Sequence, residues 1–149
     1  MITQLLLGST LICLILVIEV MFIGIASAVP AKSGSFLGAG RSAVKFVLSL
    51  LAVVLWILLA IGTGVWIWAA AFLLPGQFQH LEEALHFAVV SMTTLGHGDI
   101  ALFEDWRLFS RLIAANGLIL FSLATAFFIE FIGQLRAVQV RKIELRAER

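Results

Sequence analysis

Three long apolar stretches limit what this chain can become. Ile2 to Ala28 holds one charge, Glu19; Phe46 to Leu74 holds none and stops at Pro75; Leu112 to Leu135 is interrupted only by Glu130. Each exceeds the ~20 residues a helix needs to cross a hydrocarbon layer of about 30 Å. Across 149 residues, 62% are hydrophobic and 13% charged, against roughly 45–50% and about 25% in a soluble domain. A domain of this size leaves about 30% of its unfolded surface in water, so the excess cannot be hidden in one core. A water-soluble globule is excluded, and so is a disordered chain. The net charge of +1 gives nucleic acid no obvious hold, and a single cysteine, Cys13, excludes an internal disulfide framework. The expected fold is an all-α membrane protein.

A fourth apolar stretch, Leu81 to Met92, is too short to span. At about 1.5 Å per residue it reaches only ~18 Å, which suits a re-entrant half-helix. Ala26-Ser27-Ala28 resembles a signal-peptidase site, but no Lys or Arg precedes it and Glu19 interrupts the apolar run, so the segment reads as a span. Lys32, Arg41 and Lys45 lie between the first two spans, and Arg136, Arg141, Lys142, Arg146 and Arg149 follow the third. By the positive-inside rule these two regions are cytoplasmic, which puts the N-terminus and the half-helix outside. Trp66, Trp68 and Trp106 then fall toward the outer surface, where an aromatic belt belongs. Arg107 and Arg111 are basic residues on the outer side, with Glu104 and Asp105 nearby to offset them. The expected organisation is an extra N-terminal helix over 1–29 and a cytoplasmic linker over 30–43. A membrane module over 44–135 and a basic tail over 136–149 follow.

The half-helix runs into Thr93-Thr94-Leu95-Gly96-His97-Gly98-Asp99. Non-helical backbone at membrane depth is tolerated only where it is buried in protein or lines a cavity. Gly96 and Gly98 alternate with larger residues, and glycine enters left-handed conformations freely. Successive carbonyls can then point to one side, toward an axis. A column of such oxygens, with the Thr94 hydroxyl at its inner end, can replace the water shell of a cation. The C-terminal end of the half-helix aims a partial negative charge at the membrane centre, and Glu82 and Glu83 suit its N-terminal end.

Half-helix, Thr-Thr-Leu-Gly-His-Gly-Asp, then membrane helix resembles the pore loop of the tetrameric potassium channel superfamily, whose usual signature is Thr-Val-Gly-Tyr-Gly-Asp. The resemblance covers roughly Val44 to Gln134: outer helix 44–74, pore helix 81–92, filter 93–99 and inner helix 107–135. It implies that Thr94, Leu95, Gly96 and His97 offer carbonyls to potassium, with the Thr94 hydroxyl added, and that Gly98 shapes the outer mouth. Thr93, Asp99 and His86 would support the filter. One filter copy per chain cannot encircle an ion, so a homotetramer is implied, in the cell membrane. No cofactor beyond the potassium ions is expected, and no enzymatic activity. Leu95 replaces the usual Val on a side chain pointing away from the pore. His97 replaces the usual Tyr, and an imidazole is smaller and titrates near ~6.5. It serves either as a neutral stand-in for Tyr or as a proton-sensitive element that loosens selectivity.

Other readings of these residues fare less well. His80 and His86 lie ~240° apart on a helix and cannot share a face, which argues against zinc. Gly-x-Gly-Asp also occurs in intramembrane aspartyl proteases, which need two carboxylates sharing a proton; the other aspartate, Asp105, lies in a polar outer loop. Potassium transporters build their pore from four repeats in one chain, and no such repeat is visible. A non-conducting membrane scaffold or regulatory subunit with a degenerate pore stays open.

On the third span, Gly117 is either a gating hinge or a site of close packing against the pore helix. Ser122 and Thr125 either line a water-filled cavity or bond back to their own helix. Glu130 either sits at the inner mouth, concentrating cations, or pairs with Lys45 or Arg41. An acid in a span costs on the order of 3 kcal/mol on insertion scales unless it finds water or a partner. Glu19 raises the same question, and the sequence assigns it no role. The tail has helical composition, with Val140, Ile143 and Ala147 near one face, and its basic residues could touch anionic lipid heads.

Overall fold

A computed structural model describes residues 2–32, 42–74, 76, 78–95 and 107–147. Four helices make up the described chain: α1 (Ile2–Lys32), α2 (Ser42–Leu73), α3 (Leu81–Met92) and α4 (Arg107–Ala147). Among the described residues there is no strand. Three helices are long and apolar enough to cross a membrane, over Ile2–Ala28, Phe46–Leu73 and Leu108–Ala137. The all-helical membrane fold expected from the sequence is the one observed. Helix covers both ends of the 30–43 stretch, because α1 runs on through Pro30 to Lys32 and α2 begins at Ser42. α4 is one unbroken helix of 41 residues, roughly 60 Å long and about twice the thickness of a hydrocarbon layer.

Side-chain contacts fix the helix directions. Phe22 packs against Trp56 with centroids 5.1 Å apart and the rings tilted by 46°, and Ile15 lies against Gly64, so residue numbers fall on α1 as they rise on α2. Those two helices are antiparallel. Gly8 meets Leu112 and Gly64 meets Leu120, which makes α1 parallel to α4 and α2 antiparallel to it. The short helix α3 sits at the end of the bundle that carries Ile2, Leu73 and Arg107.

Two apolar clusters hold this arrangement. At the α3 end, Trp68, Phe72, Phe87 and Phe109 are buried together with Ile113 and Leu120. Phe72 meets Phe87 edge-on at 5.1 Å, and Trp68 meets Phe109 edge-on at 6.0 Å. Such pairs contribute about 0.5–1.5 kcal/mol beyond their buried area. They clamp α3 and the first turns of α4 to α2. Trp68 is therefore a core residue (0% exposed) rather than part of an interfacial belt, whereas Trp66 stays 56% exposed. Toward the other end, Ala26, Val53, Phe127, Phe131 and Leu135 form a second cluster that joins the three long helices. The Trp56 indole Nε1 donates to the Phe22 carbonyl at 2.9 Å and ties α1 to α2.

Between the clusters lies Glu19, a carboxyl with only 2% exposure. One turn beyond Ile15, it falls level with the buried residues Ala60 and Ala124. Two alanines leave room for the longer side chain between the helices.

Candidate functional site

The described part of the site is the end of α3 and what encloses it. α3 starts at its N-cap His80, in extended conformation, with Glu82 and Glu83 in the first turn, where acids complement the helix dipole. Ala84, Phe87, Ala88 and Met92 recur at helical spacing and are buried; they hold the helix in the cleft between α2 and α4. The opposite face, including His86, Val89, Thr93, Thr94 and Leu95, is exposed.

All four helices meet around Gly64. A Cβ added to Gly64 would lie 3.3 Å from Ile15 of α1, 3.4 Å from Leu120 of α4 and 3.5 Å from the Met92 methyl. A Cβ added to Gly117 would overlap the Met92 carbonyl oxygen and come within 2.9 Å of its carbonyl carbon and Cγ. Glycine at 117 is thus what lets α4 touch the backbone of α3, so Gly117 is a point of close packing against the short helix. Gly117 lies ten residues into α4, roughly 15 Å from its start, which is half of a ~30 Å hydrocarbon layer. The short helix therefore ends at that distance along α4, with the negative end of its dipole at that level.

The chain leaves α3 by a defined turn. Thr93 is the C-cap, the Thr94 N–H donates to the Ser91 carbonyl at 3.1 Å and the Leu95 N–H to the Val90 carbonyl at 3.1 Å. This pair of bonds is a Schellman motif, which demands a left-handed residue, usually glycine. Here Thr94 occupies it, with φ of 59°. A β-branched residue held there costs on the order of 1–3 kcal/mol and persists only when its surroundings fix it. The Thr93 hydroxyl donates to the Val89 carbonyl at 2.8 Å, so it is turned back onto the helix. Gly96, His97, Gly98 and Asp99 lie outside the described residues.

α4 presents two distinct sides. Phe109, Ile113, Leu120, Phe127 and Leu135 face the bundle. At about 100° per residue, Leu118, Ser122, Thr125, Ile129 and Gly133 fall on the far side, and all are exposed. The Ser122 hydroxyl donates to the Leu118 carbonyl at 2.7 Å and Thr125 to that of Phe121 at 2.8 Å, so both hydroxyls bond back to their helix while standing on the open side. Glu130 is also exposed and accepts a bond from Gln134 at 3.2 Å. The partners expected from the sequence, Arg41 and the Lys45 side chain, lie outside what is described. Among the described residues no group of three or more His, Cys, Asp or Glu side chains could hold a metal ion.

Sequence reasoning missed the burial of Asn116 and the packing of Met92, and it put Trp68 in the outer belt, because all three depend on contacts between helices. Asn116 alone carried a signal, as an amide in an apolar span.

A family sequence model described as an ion channel matches residues 47–134. That is more than half of the chain, and it takes in most of α2, all of α3 and α4 as far as Gln134. Neither the curated proteins nor the solved structures give a match to the chain.

Proposed function

The chain belongs to the ion-channel family, and from that premise we propose that it conducts potassium passively across the membrane as a homotetramer. The observation that carries this reading is the short helix α3, lodged between two spans and followed at once by Thr93-Thr94-Leu95-Gly96-His97-Gly98-Asp99. Four such loops about one axis replace an ion's hydration shell with carbonyls of Thr94, Leu95, Gly96 and His97 and the Thr94 hydroxyl. Thr93, His86 and Asp99 brace the loop, and Gly98 forms its outer mouth. The open side of α4, with Ser122, Thr125 and Glu130, faces the axis and lines the inner vestibule. The N-terminus is outside, the tail is cytoplasmic, and the tail's arginines meet anionic lipid heads.

The test is flux through vesicles containing the purified protein. Potassium and rubidium pass, sodium is retained, and barium blocks. Absence of all flux from a well-assembled protein would instead indicate a non-conducting scaffold or regulatory subunit.

His97 supports a second reading, a weakly selective or pH-modulated cation channel, since an imidazole replaces the filter's phenol and can gain a proton. Sodium-to-potassium flux ratios at two external pH values separate the two. A low ratio at both favours the strict channel, and a ratio that changes with external acid favours the second.

A further inference from the structure

Glu19 is the one acid of α1 and plays no part in the proposed ion path. It is buried level with Ala60 of α2 and Ala124 of α4, which are buried too. Those two positions fall near the middle of the apolar stretches Phe46–Leu73 and Leu108–Ala137. The register also sets the distance to every countercharge. On α2 the only charged residue is Lys45, fifteen residues from Ala60 and so ~22 Å along the axis. On α4, Arg111 and Arg136 stand thirteen and twelve residues from Ala124, ~20 Å and ~18 Å away. Lys32 lies thirteen residues along α1, again ~20 Å. A lysine or arginine side chain spans none of these gaps. Glu130 is ~9 Å beyond Ala124, exposed and bonded to Gln134. Cys13 on α1, like His86, Glu82 and Glu83 on α3, is exposed. Among the described residues, then, no charged or titratable group of α1, α2, α3 or α4 reaches this carboxyl.

We propose that Glu19 is a proton-binding site inside the helix bundle, and that its proton keeps α1 docked on α2 and α4. An ionised carboxylate enclosed by apolar helices needs a cation or water; lacking both, it takes up a proton and becomes neutral. The neutral acid fits the space that two alanines leave. A second copy turned about an axis parallel to the helices brings its cations to these same levels, so assembly supplies no countercharge either. The carboxylate has to reach water, and it does so only if α1 leaves its seat. Ile15, one turn from Glu19, is the residue that α1 sets against Gly64, where the Met92 methyl and Leu120 also meet. Release of α1 therefore takes away one side of the contact at the end of α3. The docked state holds one proton more than the released state. Docking is then strongest at acid pH and weakens about tenfold per pH unit as pH rises. The inference is independent of ion selectivity and of conduction.

Two measurements on the full-length protein in nanodiscs test it. Infrared spectra at neutral pH should show a protonated-carboxyl C=O band in the wild type that Glu19→Gln lacks. Hydrogen exchange read by mass spectrometry then follows α1 as pH rises, with peptides of α2 as the reference for the chemical exchange rate. The α1-to-α2 exchange ratio should climb about tenfold per pH unit in the wild type. It should stay level in Glu19→Gln, which keeps the shape of the acid and cannot ionise. Absence of the infrared band, a wild-type ratio that does not change with pH, or an equal climb in the variant would overturn the proposal. If Glu19→Gln does not assemble, Glu19→Met takes its place in both comparisons, and the wild-type pH series is read without either.

Discussion

Gly117→Ala measures how tightly the third span and the short helix are coupled. The new methyl has nowhere to go: it overlaps the Met92 carbonyl oxygen and sits 2.9 Å from two further Met92 atoms. Backbone cannot rotate aside as a side-chain tip can, so α4 and the end of α3 must separate. Overpacking of this kind costs about 1–3 kcal/mol, and the upper half applies where the obstacle is main chain. Alanine returns up to about 1 kcal/mol through its better helix propensity. The net loss is about 1–2 kcal/mol per subunit. Gly24→Ala is the control, since a Cβ there meets nothing within 4 Å; it gains the propensity term with no clash. The two variants should therefore differ by about 2–3 kcal/mol, the sum of a ~1 kcal/mol gain and a 1–2 kcal/mol loss. Denaturant titration in detergent micelles reads this difference. Vesicle flux should fall in Gly117→Ala alone, because the displaced residue is the one from which the chain enters Thr93 and Thr94. A Gly117→Ala protein as stable as Gly24→Ala, with wild-type flux, would refute the contact and its role.

Gly96→Asp should abolish ion flux in vesicles while cross-linking still detects the assembled oligomer, because a side chain and a charge enter the proposed carbonyl column. Trp56→Phe removes the donor that holds the Phe22 carbonyl at 2.9 Å; it should cost about 0.5–1.5 kcal/mol in denaturant titration and raise proteolysis of α1. Thr94→Gly relaxes a left-handed residue and should raise stability by about 1 kcal/mol. It also removes a hydroxyl from the proposed ion path, so the potassium-to-sodium flux ratio should drop as Tm rises.

Length and charge made the architecture legible. Phe46 to Leu74 is too long and too apolar for anything but a span, and Leu81 to Met92 is too short to cross, so the helices near those bounds follow from composition alone. Helical spacing likewise put Ser122 and Thr125 on one face of α4, and both are exposed with their hydroxyls bonded back to the helix. What could not be read were properties of two helices at once. Trp68 looks like an interfacial tryptophan until Phe109 and Phe72 are seen around it. The burial of Asn116 shows only in the folded chain, and Gly117 shows its purpose only when Met92 is set against it. Glu19 offered no partner in sequence, and its burial at the level of Ala60 and Ala124 becomes visible only from the register of three helices. Glu130 found its partner one turn along its own helix, in Gln134, a spacing present in the sequence but outranked there by the search for a countercharge.

The central claim concerns main-chain oxygens, and a map of the protein in potassium, paired with one in which rubidium replaces it, addresses them directly. The account predicts four subunits about one axis, with ion density between the carbonyls of residues 94 to 97 that shifts in strength with the ion supplied. A monomer or trimer, or a fourfold assembly in which the Gly96 and His97 peptides turn away from the axis, would contradict it.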